Sequence, residues 1–437
     1  MSRPNTVAAA IALTAVLAAQ DDGAPVVQSL TPDHLAHGVD PKVTELVIRF
    51  DRAMDQSVHA VCGGGANLPT VAGTSWRDAR TFVLTVELAP DRVYALDLSC
   101  TGSAGFRSRA GQRLEPTPWR FATAGPAIPR ADAERAAGAL FRLLAQQYSY
   151  YDRLGIDWED LGARSRERLA GAGCMASLAL EVANLLAVPQ DPHISVGWGD
   201  ATIPTFQRCA VLNYDERGVR RLLPGLEPVG RIGLAARTED GIGYLQIGSF
   251  ARGQRGDLDR CVAVLRSMRD CRGIVLDVRA NAGGDEGLAR RIAGFFVDGE
   301  RVYAAHRVRD PRAPDGFAER QDRVLRKNPE PDTYRGPVVV LMGQFDMSSS
   351  ESFLLMMQQA PRATLIGARS YGSSGNPRPY LLAPGLTVML PSWRALRPDG
   401  TCIEGEGIEP TVPITAPARS FATGDPVLAE ALARLRR

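Results

Sequence analysis

The run Val338-Val339-Val340-Leu341-Met342 constrains the fold of this chain more than any other segment. Five consecutive apolar residues, rich in valine, are too few for a buried helix and lack polar alternation. They predict a strand covered on both faces. The run ends in a small polar turn, and a helix-like segment over 352–359 follows at once. A buried strand that feeds a helix is half of a parallel-sheet unit. The same order recurs along the chain. Strand candidates at 243–247, 274–278, 302–305 and 364–367 alternate with helix-spaced runs such as Leu258, Val262, Leu265, Met268 and Leu288, Ile292, Phe295. Residues 203–437 are therefore expected to form an α/β core around a largely parallel sheet. A late strand at 388–390 and a C-terminal helix at 425–435 complete it.

Upstream the period changes from helical to two. Leu46, Ile48 and Phe50 alternate, as do Phe82, Leu84, Val86 and Leu88, then Tyr94, Leu96 and Leu98, with turn signals such as Gly63-Gly64-Gly65 between them. Residues 26–124 read as a β-sandwich, closed by a last strand over 119–123. The segments Phe50-Asp51-Arg52-Ala53-Met54-Asp55 and Trp76-Arg77-Asp78-Ala79-Arg80-Thr81-Phe82 resemble the immunoglobulin-like modules of bacterial surface and secreted proteins. That resemblance implies a spacer, or a surface or protein contact, rather than chemistry. After the linker 125–129, residues 131–202 carry three apolar stripes at helical spacing and are expected to form a helical subdomain.

The first 20 residues read as a secretory leader. Arg3 precedes an apolar stretch from Val7 to Ala19 that is too short to span a bilayer. The expected location is secreted or periplasmic. No other stretch is long and apolar enough to cross a membrane. A formal charge of +2 on 437 residues does not suggest nucleic acid or an anionic membrane as partner. Seven cysteines fit an oxidising compartment. Cys62–Cys100 and Cys261–Cys271 are candidate bridges, and an odd count leaves at least one thiol unpaired within a monomer. His and Cys spacing matches no zinc motif, so no metal and no organic cofactor are expected.

Four segments of the chain carry candidate chemistry. Ser348 stands beyond the buried strand and at a helix start, where free backbone N–H groups can hold an oxyanion beside a hydroxyl. Ser348-x-x-Glu351 is equally a capping box, the blander reading. Asn281-Ala282-Gly283-Gly284 follows a strand, and its glycines let the backbone approach a ligand closely. His193 lies in a turn opened by Asp191-Pro192. Of five histidines, His34, His37 and His59 belong to the β module, so His193 is the first candidate for a base and His306 the second. Glu404, Glu406 and Glu409 share a glycine-rich loop, and one of them could orient an imidazole.

Taken in order, several motifs resemble the serine peptidases that include the carboxyl-terminal processing proteases, the tricorn core and the retinoid-binding modules of the interphotoreceptor matrix. They are Tyr150-Tyr151-Asp152-Arg153, Asp191-Pro192-His193, Gly243-Tyr244-Leu245-Gln246-Ile247, Leu276-Asp277-Val278-Arg279 with Gly283-Gly284, Ser348-Ser349-Ser350-Glu351, and Glu404-Gly405-Glu406-Gly407-Ile408. The resemblance spans about 148–413 and implies a crotonase-like core. It implies Ser348 as nucleophile. The processing proteases pair that serine with a lysine in a Phe-Gly-Lys-Gly-like turn. Here the turn is Tyr371-Gly372-Ser373-Ser374-Gly375, and the only lysines are Lys42 and Lys327. A Ser–Lys dyad is thus excluded. The tricorn-like branch uses Ser, His and Glu, which map onto Ser348, His193 and Glu404. Backbone N–H groups of Ser349 and of Gly283 or Gly284 would hold the oxyanion. The expected function is a secreted serine endopeptidase acting on proteins or peptides. The alternative is a non-catalytic binding protein for apolar ligands or peptides on the same scaffold.

Overall fold

The computed structural model describes residues 23–99, 105–208 and 210–437. The candidate leader and Cys100 lie outside that range. The centre of the molecule is a seven-stranded sheet. Its order is Glu227–Val229, Gly233–Arg237, Ile242–Ile247, Gly273–Asp277, Val338–Met342, Ala363–Gly367 and Val412–Pro413. The first three strands pair antiparallel, and from Ile242–Ile247 onward every pairing is parallel. The apolar strand Val338–Met342 is buried along its whole length.

Side-chain alternation divides the sheet cleanly. Ile274, Leu276, Val278, Val338, Val340 and Met342 pack on one face with Leu258, Val262, Ile292, Phe353 and Leu354. Those partners come from the helices Arg255–Ser267, Glu286–Ala293 and Ser349–Gln358. Val275, Val339, Leu341 and Ile366 pack on the other face with Val219, Phe421, Val427, Leu428 and Leu432. A strand covered on both faces has no polar side to show, which is why its sequence reads as unbroken hydrophobicity.

One fully buried cation ties the C-terminal helix to this sheet. Arg279 donates to both carboxylate oxygens of Asp277, at 2.9 and 2.6 Å, and to both of Asp425, at 2.9 and 2.8 Å. Asp425 also accepts from the Leu428 N–H at 3.0 Å and so caps the helix Pro426–Arg436. Two carboxylates around one guanidinium satisfy charges that would otherwise be costly to bury.

Upstream, Val27–Thr31, Glu45–Phe50, Thr81–Glu87 and Thr70–Asp78 form one four-stranded sheet, and Ala36–Val39, Thr117–Thr123, Val93–Leu98 and Val61–Cys62 form a second. Leu46, Ile48, Phe50, Phe82, Leu96, Trp119 and Phe121 fill the space between them. The other face of the second sheet is not free. Val93, Ala95 and Ala122 join the core made by the helices Arg130–Gln147, Trp158–Ala170 and Met175–Leu185.

Three expectations are corrected. The helical segment 131–202 also contains the strand Ser195–Trp198 and the first half of Ala201–Pro204. These pair with each other, and Ser195–Trp198 pairs with Leu386–Pro391, which joins the His193 turn to the C-terminal part of the core. Four-residue strands carry too little alternation to be read from sequence. The strand Arg301–Val308 lies outside the parallel sheet, in an antiparallel group with Gln321–Leu325 and Trp393–Leu396. Cys261 and Cys271 are free thiols. A Cβ added to Gly233 would lie 3.1 Å from Cys261 Sγ, and one added to Gly243 would lie 3.2 Å from Cys271 Sγ. Those glycines sit at opposite ends of one strand pair, four residues apart along it. At ~3.3 Å per residue that separation is beyond disulfide reach. Cys62 is disulfide-bonded, and its partner lies outside the described residues.

Candidate active site

The strand Val338–Met342 delivers the chain to a turn held by a buried carboxyl. Asp346 accepts from the Gly343 N–H and the Ser350 hydroxyl, each at 2.7 Å. Burial raises its pKa well above the ordinary carboxylate range. Ser348 follows with φ 58° and ψ −120° and is the N-cap of the helix Ser349–Gln358. A non-glycine residue in that conformation costs of order 1–3 kcal/mol and persists only where its surroundings over-determine it. Two contacts hold the Ser348 backbone there. Its N–H donates to the Ser373 carbonyl at 2.8 Å and, at 3.3 Å, to the Glu351 carboxylate. The capping arm of Glu351 read from the sequence is therefore present, but it extends further. Glu351 also accepts from the Ser370 hydroxyl at 2.5 Å and from the N–H groups of Gly372 and Ser373 at 2.7 and 2.9 Å. It thus fastens the Ser348 turn to the turn at 370–373. Burial raises its pKa to about 7 against these hydrogen bonds.

The second turn approaches from the neighbouring strand. Asn281 donates to the Ile247 carbonyl at 3.0 Å and accepts from the Gly283 N–H at 2.8 Å. Ser349 Oγ donates to the Gly284 carbonyl at 2.7 Å. Gly283 has φ +98°, and a Cβ there would lie 2.5 Å from the Met347 carbonyl and 3.0 Å from Ser348 Cβ. Only glycine fits so close to the serine turn. Of the N–H groups expected to face an oxyanion, that of Gly283 is already engaged by Asn281. Those of Gly284 and Ser349 carry no hydrogen bond among the described residues. Ser348, Ser349, Gly284, Ser374, Asn376 and Trp393 share the wall of a cavity of about 640 Å³.

The His193 turn meets the 370–374 turn through Ser373. Nδ1 of His193 is 2.7 Å from Ser373 Oγ and 4.0 Å from Asp191 Oδ1. The imidazole is buried, which lowers its pKa, and the Asp191 charge opposes that shift. Asp191 is itself buried, accepts from the His193 N–H at 2.9 Å and from the Tyr148 hydroxyl at 3.0 Å, and is raised by desolvation. No hydrogen bond joins His193 to Ser348. The two connect through Ser373, whose carbonyl takes the Ser348 N–H and whose hydroxyl meets the ring.

Glu404 does not reach the imidazole. Its carboxylate accepts from the Ser374 N–H at 2.9 Å, and burial with the Asp191 charge nearby raises its pKa far above the ordinary range. The physical reason is the loop's own geometry. Gly405 donates to the Gly372 carbonyl at 2.8 Å, which seats the acidic loop on the backbone of 372–374 rather than on the ring. Glu406 lines the rim of a separate cavity, and Glu409 pairs with Arg369 at the surface. His306 is on the strand Arg301–Val308 and packs against Trp393 with the rings tilted, 4.3 Å between centroids. Sequence reasoning missed Ser373, read only as a lost lysine, and Asp191, read only as a turn opener. Among the described residues no group of three or more His, Cys, Asp and Glu side chains is arranged to hold a metal ion.

A serine hydroxyl in a strained turn, two unengaged N–H groups and a buried neutral imidazole are the parts that acyl transfer requires. Residues 241–414 match the family described as peptidase family S41. The carboxy-terminal-processing protease of Bartonella bacilliformis is 28% identical over 186 residues, which are 41% of this chain and 40% of that protein. The match thus spans well under two thirds of that relative's length. Among solved structures, a candidate peptidase from Parabacteroides merdae superposes with a TM-score of 0.61 at 21% identity, covering 70% of this chain and 97% of the other. Mature CPAF gives 0.53 at 12% identity, with 70% and 97% covered. At these identities the superpositions establish a shared fold.

Proposed function

Because residues 241–414 are a peptidase family S41 domain, we propose that this protein is a serine peptidase with Ser348 as its nucleophile. The observation that carries the reading is the Ser348 turn: a strained serine at the mouth of a cavity, beside the unengaged N–H groups of Gly284 and Ser349. Ser348 Oγ attacks the scissile carbonyl carbon while a ring nitrogen of His193 takes the hydroxyl proton. The carbonyl oxygen becomes an oxyanion between the Gly284 and Ser349 N–H groups. His193 returns the proton to the leaving amine, and water then releases the acyl group by the same steps. Catalytic hydrogen bonds of this kind tighten when substrate is in place, so a Ser348–His193 bond is expected in the complex. Glu404, expected to orient the ring, acts in this reading on the Ser373-Ser374 backbone instead.

The substrate class is protein or peptide. The core belongs to the crotonase-like architecture and residues 26–124 to the immunoglobulin-like one, with 131–202 as the segment that carries His193. The N-terminal sheets offer a surface for a protein contact. Peptide binding by the Ser348→Ala protein that ignores substitutions along the exposed strand Thr70–Asp78 would count against that role. Secretion or export to the periplasm follows from the leader at 1–20, and the disulfide at Cys62 supports an oxidising compartment. Among the described residues no helix is long and apolar enough to cross a membrane. Finding the unprocessed chain with reduced Cys62 in the cytoplasm would remove this part of the proposal.

A fluorophosphonate probe tests the chemistry. It should label Ser348, mapped by mass spectrometry, and the Ser348→Ala protein should fold but neither label nor hydrolyse peptides, with a loss of at least ~10³-fold. One observation favours the second reading, a binding protein: no hydrogen bond joins His193 to Ser348 or to Glu404. The charged wall of the cavity, with Arg252, Asp285, Glu286 and Arg290, suits a peptide rather than an apolar ligand. A folded protein that the probe leaves unlabelled, and that binds peptide without cleaving it, would decide for that second reading.

A further inference from the structure

A histidine that serves a serine must keep its proton on the far ring nitrogen, and some acceptor has to hold it there. In this chain the expected acceptor, Glu404, accepts from the Ser374 N–H and makes no hydrogen bond to the ring. The group that meets Nδ1 of His193 is Ser373 Oγ, at 2.7 Å. Ser373 is held on every side. Its side chain is fully buried, its N–H donates to Glu351 at 2.9 Å, and its carbonyl accepts from the Ser348 N–H at 2.8 Å. The next carbonyl, that of Ser374, accepts from the buried Tyr150 hydroxyl at 2.5 Å. One short segment therefore fixes the backbone of the nucleophile and the ring of the base together. A second carboxyl stands close by, since Asp191 Oδ1 is 4.0 Å from the same Nδ1 and the group is anchored by the His193 N–H and the Tyr148 hydroxyl.

On the reading of Ser348 as nucleophile, we infer that Ser373 is the positioning residue of His193: its Oγ accepts the Nδ1 proton and leaves Nε2 as the base, while Asp191 stabilises the imidazolium. Ser373 acts through His193 and touches no substrate. At the position where the resembling processing proteases carry a catalytic lysine, this chain carries a hydroxyl that serves a histidine. The proton cycle is closed. Nε2 gains the Ser348 proton during attack, gives it to the leaving amine, and Nδ1 keeps its own proton throughout.

The experiment compares peptide hydrolysis by the wild-type protein, Ser373→Ala, Ser373→Thr and Glu404→Gln, with Ser348→Ala and His193→Ala as controls. Ser373→Ala should lower kcat by roughly 10–100-fold with little change in KM. Its acid limb should move to lower pH, because the imidazolium has lost an acceptor. Ser373→Thr, which keeps the hydroxyl, should recover most of the rate, and this rescue separates positioning from folding. Glu404→Gln should lose less than Ser373→Ala. A Ser373→Ala protein with the wild-type kcat and pH profile would overturn the inference, as would a loss confined to KM or a larger loss in Glu404→Gln. If Ser373→Ala fails to fold, Ser373→Thr with kcat as low as the His193→Ala control would overturn it too. Undiminished activity in both the Ser348→Ala and His193→Ala controls would instead sink the peptidase reading on which this inference rests.

Discussion

Replacing Glu351 by glutamine probes the joint between the two halves of the site. The Glu351 carboxylate accepts four hydrogen bonds, two on each oxygen: the Ser370 hydroxyl and Gly372 N–H on Oε1, and the Ser373 and Ser348 N–H groups on Oε2. An amide can turn either way, but its NH₂ always faces two of these donors. At low pH the wild-type group is itself a neutral acid, whose hydroxyl oxygen can still accept one of those two bonds while an amide NH₂ accepts none, so glutamine leaves one more buried donor unpaired, at a cost of about 1–3 kcal/mol. The cost depends on pH. The Glu351 pKa is raised in the fold to about 7 from an ordinary 4.5. A raised folded pKa means that this group's stabilisation is complete below the unfolded value and is lost as pH rises through the folded one. Between pH 5 and 8 the wild-type protein should lose about 2.5 kcal/mol from this group alone. Glutamine does not titrate, so the penalty of Glu351→Gln should shrink from about 2 kcal/mol at pH 5 to about zero at pH 8. Equilibrium urea unfolding of both proteins at the two pH values measures this, and taking the difference cancels the other buried acids. A penalty that is flat, or that grows with pH, would refute the argument that Glu351 is buried with its proton.

Three further outcomes follow from the same geometry. Gly283→Ala forces a Cβ to within 2.5 Å of the Met347 carbonyl at φ +98°, so it should destabilise the protein by about 2–4 kcal/mol and slow fluorophosphonate labelling of Ser348. Unchanged unfolding and labelling would show that the two turns are less closely packed than described. Asp425→Asn removes one of the two charges around Arg279 and should cost about 3–5 kcal/mol in thermal or urea unfolding while leaving labelling intact below the transition. The acid limb of kcat/KM should have its midpoint below the ordinary histidine value of ~6.5, because burial lowers the His193 pKa and activity is lost as the ring gains its second proton. A midpoint above that value, or a limb that survives His193→Ala, would remove His193 as the base.

Where the sequence carries a strong hydrophobic pattern, it determined the outcome by itself. Val338–Met342 had no polar face to expose, so it could only be a central strand, and the residue after its turn could only stand at a helix start. The glycine pair, the Asp-Pro-His turn and the near absence of lysine were equally local facts, readable without any coordinates. The tertiary structure decided which of these groups meet. Four-residue strands such as Ser195–Trp198 gain their stability from cross-strand partners distant in the chain, so the docking of the His193 turn on Leu386–Pro391 left no local trace. The same holds for Glu351, which sequence presents as a helix cap and packing turns into the clamp between two turns. Which carboxylate or hydroxyl faces an imidazole depends on the direction of side chains and on backbone N–H groups competing for each acceptor. Glu404 went to the Ser374 N–H, and Ser373 to the ring, because a buried N–H must be paired and the nearest acceptor to that N–H was the glutamate.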